Sequence, residues 1–378
     1  MISGKKGRIA FNLAFIETGP LTGPGYYAMQ LFEYALAQTE DTKLIAYVQD
    51  GAQHHFSEQA RQHISTIPSF KSRISRVLYE QFILPLKCRR DAIDLLFSPA
   101  FVSPMWGAPI LIATICDMYY AVVPEAVERF QRQYWKVFIP LTALVCNRLI
   151  TISQNSKADI ERIIPAARGK VTSIPLASRM MLKADDTQPG TLNNRCARST
   201  FLMVANLTPN KNPGVVAEAI GKLANYGIDA QLVHVGHDHL GLLADAARKF
   251  GVENRIINCN KVSDIELRKH YTIAGAVIVA SLYEGFGMPV VEAQAMGAPL
   301  ICSDRSALPE AAGDGALFFN PENSQELAIC MRQVIEMSDS ERQKLIARGR
   351  ANAATMSWQR TAEETMTLFR AALAGNVK

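Results

Sequence analysis

The chain has 378 residues, enough for two domains that each bury a core, and its 48% hydrophobic and 20% charged content is that of an ordinary globular protein. Glycine and proline, at 23 and 18 residues, are too sparse for a collagen-like or extensively disordered chain. The net charge of +5 sits wholly in residues 1–177, which hold 19 Lys and Arg against 14 Asp and Glu; without an aromatic-and-basic module, that small excess argues against a nucleic-acid binder.

In chain order, Arg8–Phe15 reads as a buried strand, and Tyr26–Gln38 as a helix with apolar positions at Met29, Phe32 and Leu36. Lys43–Val48 is a second strand. Residues 71–90 interleave Lys71, Arg73, Arg76, Lys87, Arg89 and Arg90 with apolar Val77, Leu78, Phe82, Ile83 and Leu84. That mixture fits either an anionic membrane surface or a solvated helix with one core face. Asp94–Phe97 and Ile110–Ile115 are short strands, and Glu125–Cys146 is a helix with Pro140 inside it. Its stripe Phe130–Phe138 is read as core rather than as a lipid groove. Arg148–Ile152 and Val171–Ile174 are strands flanking the helix Ser156–Ile164.

The low-order stretch 178–199 is the expected linker. Beyond it come strands at Thr200–Val204, Gln231–Val235, Arg255–Asn258, Ala276–Ala280, Leu300–Cys302 and Ala316–Phe319. They alternate with helices Val215–Tyr226, Leu240–Phe250, Asp264–Ile273, Pro289–Met296 and Ser324–Met337. Repeated βα units imply two doubly wound parallel sheets, one in 1–177 and one in 178–356. Ligands of such sheets bind at the carboxyl ends of strands.

Seven scattered cysteines without a Cys-x-x-Cys pair fit reduced thiols in a cytoplasmic protein. The start, Met-Ile-Ser-Gly-Lys-Lys, has no signal-peptide pattern, and the apolar run Val137–Cys146 is too short to span a bilayer. Membrane contact is therefore expected to be peripheral at most. His234, His237 and His239 suggest a metal cluster only superficially, because no further ligand completes a set; a solvated loop is the expectation. Gly23-Pro-Gly25-Tyr-Tyr-Ala28 mimics a dinucleotide fingerprint and supports a rival reading as an NAD-dependent dehydrogenase. The loop from Phe15 to Gly23 is too long for the tight turn which that fingerprint needs.

The richest segment is Ser281-Leu-Tyr-Glu-Gly-Phe-Gly-Met-Pro-Val-Val-Glu-Ala-Gln-Ala-Met-Gly297. Gly285 and Gly287 admit a ligand to the backbone, Pro289 suits a first helical turn and Gly297 a residue past a helix end. A helix start with exposed amides is an anion site suited to a diphosphate. Glu284 and Glu292 flank it, and are better suited to accept hydrogen bonds from sugar hydroxyls than to face a phosphate.

Glu284-Gly-Phe-Gly-Met-Pro-Val-Val-Glu292 resembles the Glu-x7-Glu motif of retaining glycosyltransferases of the GT-B fold, specifically glycosyltransferase family 4. Phe201–Asn212, Gly297–Asp304, Ala307–Glu310, Thr18–Tyr27, Leu149–Ser156 and Trp358 with the helix after it are similar to other parts of that family, so the resemblance spans nearly the whole chain. It implies a GT-B architecture whose C-terminal helix, 357–374, crosses back to an acceptor-binding first domain. It implies that Glu284 with Gly285, Phe286 and Gly287 holds the transferred sugar, Glu292 the ribose and Lys211 the donor's diphosphate, with Asn206 on the same donor-binding loop. Gly23 and Gly25 would belong to a loop that closes on the phosphates. It further implies transfer of a hexose, foremost mannose from GDP-mannose, to a saccharide or lipid-linked saccharide in bacterial polysaccharide assembly, with no metal required. An alternative is a non-catalytic sugar-nucleotide-binding protein of the same fold.

Two positions depart from the family pattern. Cys116-Asp117 stands where His-Asp is common, leaving Asp117 to orient the acceptor hydroxyl, accept its proton or cap the next turn. Asn210-Lys211 stands where Arg-Lys is common, so Lys261, Arg305 and Arg179 become candidate substitutes for the missing cation.

Overall fold

A computed structural model describes residues 7–38, 42–124, 127–180 and 198–375. Most of the expected linker, Cys196 and the first six residues lie outside the described residues. Contacts divide the chain into one unit of Met1–Ala121, Glu128–Leu176 and Ser357–Lys378, and a second of Val122–Val127 and Ala177–Met356.

The first unit holds seven parallel strands: β1 (Arg8–Leu13), β2 (Lys43–Gln49), β3 (Ile64–Ile67), β4 (Leu95–Ser98), β5 (Ile110–Thr114), β6 (Arg148–Thr151) and β7 (Val171–Ser173). Their order is β3-β2-β1-β4-β5-β6-β7, so the chain reverses direction between β1 and β4. The helices are α1 (Gly23–Leu36), α2 (Glu58–Arg61), α3 (Arg73–Leu78), α4 (Leu84–Arg90), α5 (Tyr119–Val122, which the contacts split between the units), α6 (Arg129–Val145) and α7 (Gln154–Ile163). A π-helical turn, Tyr79–Ile83, joins α3 to α4. Right-handed crossovers put α1 and α2 on one face of the sheet and α3–α4, α6 and α7 on the other. The central strands β1, β4 and β5 have buried residues on successive positions, as a sheet covered on both faces demands.

The second unit holds β8 (Thr200–Val204), β9 (Gln231–Val235), β10 (Ile256–Asn258), β11 (Ala276–Val279), β12 (Leu300–Ser303) and β13 (Leu317–Phe319) in the order β10-β9-β8-β11-β12-β13, again all parallel. Its helices are α8 (Pro213–Asn225), α9 (Leu242–Phe250), α10 (Asp264–Ile273), α11 (Met288–Ala295), α12 (Leu308–Ala312), α13 (Ser324–Glu336) and α14 (Asp339–Ala354). Phe201, Ile278 and Ile301 from the sheet pack with Val216, Ile220, Leu327 and Met331 from α8 and α13. α10 and α14 start in capping boxes, Ser263 with Glu266 and Ser338 with Glu341.

The last helix, α15 (Trp358–Leu373), belongs to the first unit. Phe369 is wholly buried, its ring 5.0 Å from that of Phe97 and 6.1 Å from that of Phe11, and Trp358 meets Tyr26 edge-on at 5.8 Å. Thus the helix after Trp358 does return to the first unit, and it completes that unit's core.

Candidate active site

β8 and β11 are neighbours at the point where the second sheet reverses its strand order, and a crevice opens past the carboxyl ends of such a pair. Residues 205–212 leave β8 and residues 280–287 leave β11. Their side chains meet there: the Lys211 ammonium bonds Glu284 Oε1, and Ser281 Oγ donates to the same oxygen at 2.7 Å. The pair is neither buried nor free, with side-chain exposures of 22% and 16%. It therefore keeps its attraction while a bound ligand can still displace either partner.

Asn210 is buried and ties the two loops together. Its amide donates to the Tyr283 carbonyl at 3.2 Å, and its own carbonyl accepts from the Leu282 amide at 2.8 Å. The Glu284 amide donates to Ser306 Oγ at 2.8 Å, which anchors the loop from the β12 side. Asn206 turns its side chain to the His237 amide at 3.1 Å, fixing the start of the β8 loop against the β9 loop.

Gly287 precedes α11 with a φ of +105°, and a Cβ there would lie 2.8 Å from Leu308 Cδ2. No side chain fits that position without strain. The first intrahelical bonds run from Val290 and Val291 to the Gly287 carbonyl, so the amides of Phe286, Gly287 and Met288 come before the helix's own ladder. Five residues into α11, Glu292 is 4% exposed. Tyr271 donates to its Oε2 at 2.8 Å, and Arg179 Nε stands 3.5 Å from its Oε1. Burial pushes the Glu292 carboxyl above the ordinary carboxylate range, while Arg179 and then the Tyr271 hydroxyl pull it back.

The first unit has its own crevice at the β1/β4 reversal, a cavity of about 560 Å³. Asn12 and Ser98 line it from the strand ends, Thr22 and Gly25 from the start of α1, and Tyr134, Trp135 and Phe138 from α6. Glu80, on the π-helical turn, accepts from Asn12 Nδ2 at 3.1 Å and lies 3.6 Å from Arg76 Nε. Burial raises its carboxyl as well. Aromatic faces beside a carboxylate, an amide and a guanidinium form a lining suited to a polyhydroxylated ring.

Asp117 is not part of that lining; its Oδ1 accepts from the Tyr119 amide at 3.0 Å, so it caps the turn after β5. Cys116 beside it is buried, and burial moves its thiol far above the ordinary range.

Residues 186–352 match the family described as glycosyl transferases, group 1. The O-antigen chain mannosyltransferase B of Escherichia coli is 34% identical over 376 residues, covering 93% of this chain and 96% of its own length. The chain belongs to the group 1 glycosyltransferases. Two solved structures share its fold: sucrose-phosphate synthase from Thermosynechococcus elongatus (TM-score 0.73, 18% identity, 98% of this chain and 100% of that one) and HepE of Anabaena, solved with UDP (TM-score 0.69, 18% identity, 96% and 99%). The two parallel sheets and the returning C-terminal helix are therefore the GT-B architecture.

Family membership removes the dehydrogenase reading, and the geometry shows why its fingerprint misleads. In this glycosyltransferase Gly23 and Gly25 do not make the tight strand-to-helix turn that a dinucleotide fingerprint needs. They form the first turn of α1, with Pro24 between them and Thr22 capping the Gly25 amide at 3.4 Å. Neither has a positive φ, and a Cβ on Gly23 would meet nothing within 4 Å. Gly25 alone of the two lines the first-unit cavity. Two further expectations are corrected. The Phe130–Phe138 stripe is not core: Phe130 is 67% exposed, and Tyr134 and Phe138 line the cavity. His234 is not solvated either; it is buried in β9 with Nε2 2.8 Å from the Ala205 carbonyl, while His237 and His239 stack on each other beyond the strand.

The cation missing at Asn210 is not supplied by either arginine in its resting contacts. Arg179 faces Glu292 and Asp264, and Arg305 faces Asn320, Asp304 and Glu322. Sequence reasoning missed Tyr271, Ser281, Ser306 and Glu80. Tyr271, Ser306 and Glu80 are ordinary residue types that only the fold brings to the Glu284–Glu292 segment or to a strand end, while Ser281 lies three residues before Glu284 as an ordinary loop serine.

Proposed function

We propose that this glycosyltransferase moves mannose from GDP-mannose to a saccharide acceptor, with retention of anomeric configuration, in the assembly of an O-antigen-like polysaccharide. The 34% identity to an O-antigen chain mannosyltransferase over nearly the full length supports the sugar and the setting. The observation that carries the reading is the Lys211–Glu284 contact at the β8/β11 crevice, beside the helix start at Gly287. A donor entering there gives each partner a better one. Its diphosphate takes the Lys211 ammonium and the amides of Phe286 and Gly287; its sugar hydroxyls donate to the Glu284 carboxylate. As the bond from the anomeric carbon to the phosphate oxygen breaks, charge grows on the diphosphate, and Lys211 and the α11 dipole stabilise it.

The acceptor oxygen attacks the same face, and its proton passes to the departing phosphate oxygen, so no protein nucleophile and no metal is required. Glu292 lies one helical turn deeper and accepts from the ribose, with Tyr271 fixing its orientation. The first-unit cavity takes the acceptor, a lipid-linked saccharide presented at the cytoplasmic face of a membrane, and Asp117 stays at the β5 end.

A thermal-shift series with GDP-, UDP-, ADP- and dTDP-sugars and NAD tests the donor. GDP-mannose is expected to raise the melting temperature most; a larger shift with another nucleotide sugar overturns the donor assignment. Glu284→Gln is expected to cut transfer by about a hundredfold or more with little change in melting temperature. Full activity in that variant overturns the site.

A further inference from the structure

Two departures from regular backbone converge on the first-unit cavity. In the π-helical turn Tyr79–Ile83 the Leu84 amide reaches back to the Tyr79 carbonyl, which inserts an extra residue between α3 and α4. Phe101, in the loop after β4, has a φ of +59°, a left-handed conformation that bulky side chains rarely adopt. Its amide donates to the Thr114 carbonyl at 2.8 Å, which holds it there. Strain of this kind persists only where the surroundings enforce it, and it gathers at ligand sites.

The two departures are joined. On the π turn Glu80 lines the cavity, while its neighbour Gln81 turns to the loop after β4. The Gln81 side chain donates to the Ser103 carbonyl at 3.2 Å and accepts from the Met105 amide at 3.3 Å. The Glu80 carboxylate is thereby held on the same framework as the Phe101 ring. That ring lies 5.3 Å from the ring of Trp135, tilted by 31°, and both line the cavity.

The polar end of the cavity has bonding capacity to spare. The Glu80 side chain is only 12% exposed, and among the described residues its carboxylate accepts a single hydrogen bond, from Asn12 to Oε1. A carboxylate has room for about four. Arg76 Nε is buried, has no hydrogen bond among the described residues, and stands 3.6 Å from Glu80 Oε2. That separation is too long for a direct hydrogen bond, and it suits a hydroxyl between them that accepts from Nε and donates to Oε2. A water satisfies those two atoms alone, whereas a pyranose satisfies them and also lays its C–H face on the aromatic wall. Charges in the lining balance, Glu17 and Glu80 against Arg73 and Arg76, which favours an uncharged ring over a phosphate or an acid.

We propose that Arg76, Glu80 and Trp135 form a subsite for one uncharged pyranose of the acceptor, with a ring hydroxyl bridging Arg76 Nε and Glu80 Oε2. The subsite rests on the reading of this cavity as the acceptor site and adds which residues select the sugar. Arg76 and Glu80 take no part in bond making; they decide which ring is held.

The experiment is saturation-transfer NMR on the purified full chain with the methyl α-pyranosides of mannose, glucose, galactose, rhamnose and N-acetylglucosamine, and with methyl α-glucuronide. At least one neutral pyranoside is expected to bind, and more tightly than the glucuronide. Removing one particular hydroxyl from that sugar is expected to weaken binding by about tenfold or more. Glu80→Gln keeps an acceptor for Asn12; it is expected to weaken the intact sugar by about the same factor and the deoxy sugar little further. Trp135→Leu is expected to weaken both alike. Equal weakening of both sugars by Glu80→Gln would make Glu80 merely structural and overturns the proposal. So does a parent protein that binds no neutral pyranoside, prefers the glucuronide, or binds every monodeoxy derivative as well as the intact sugar, results that need no variant to fold. A thermal shift with GDP-mannose on the same sample keeps the two readings apart. If the shift persists and no pyranoside binds, the subsite falls and the donor assignment stands; if the shift is absent and a pyranoside binds through Glu80, the donor assignment falls and the subsite stands.

Discussion

Burying the Glu292 carboxyl on α11 sets stability against function at a single residue. Its carboxyl is raised in the folded state by loss of water, so the folded protein binds that proton more tightly than the unfolded chain does. The stability linked to it is fully present below the unfolded carboxylate pKa and is lost as pH rises through the raised folded value. Above that value the fold holds a buried charge that Tyr271 and Arg179 offset. Glu292→Gln keeps an acceptor for the Tyr271 hydroxyl and removes the charge. The variant is expected to melt higher than the parent at pH 8 and to show little difference at pH 4, while losing affinity for the nucleotide sugar. Melting curves at the two pH values, with and without donor, check this; an equal shift at both pH values would show that the carboxyl does not titrate in the fold.

At the scale of elements, the helix start at Gly287 makes a sharper prediction than any side chain. Gly287→Ala places a Cβ at a φ of +105° and 2.8 Å from Leu308 Cδ2. The left-handed backbone costs about 1–2 kcal/mol, and that strain is relieved by moving the loop, whatever the Leu308 side chain does. Movement of the loop shifts the amides of Phe286 and Met288, so donor KM is expected to rise while the melting temperature falls by several degrees. An unchanged KM would place the diphosphate elsewhere. This helix start was legible in the sequence because glycine, proline and glutamate each have a strong positional reason to be there. The βα alternation was legible because strands covered on both faces read as continuous apolar runs. α14 was not: its surface is polar nearly all round, and it is held by the buried Arg342 guanidinium donating to the Gly275 and Ala274 carbonyls. α2 and β3 are too short to carry a period. The stripe on α6 was visible but misassigned, since periodicity shows that a helix has an apolar face and not what that face meets. Asn210 was flagged only as a missing charge; that it ties the β8 loop to the β11 loop depends on a contact between residues 73 positions apart.

For the molecule as a whole, the first unit is completed by a helix that follows the second unit in the chain. The chain leaves this unit at Leu176 and returns at Ser357. Thr361 Oγ1 then donates to the Pro175 carbonyl at 2.8 Å, joining the returning helix to the segment just before the exit. Phe369 closes an aromatic cluster with Phe11 on β1 and Phe97 on β4, the two strands whose ends form the cavity. If α15 is core, Phe369→Ala leaves a cavity beneath that strand pair and costs about 3–5 kcal/mol. Hydrogen exchange read by mass spectrometry would locate the loss. Peptides covering β1, β4 and α1 are expected to exchange faster, because opening of the cluster releases the strands together. Peptides covering β8 and β11 are expected to keep their protection, since Phe369 has no place in the cluster built on Phe201, Ile278 and Ile301. Faster exchange confined to Trp358–Leu373 would show that α15 is an appended helix and that the first unit's core is complete without it. The wider pattern would mean that the cavity cannot form until the chain has passed through the second unit and come back.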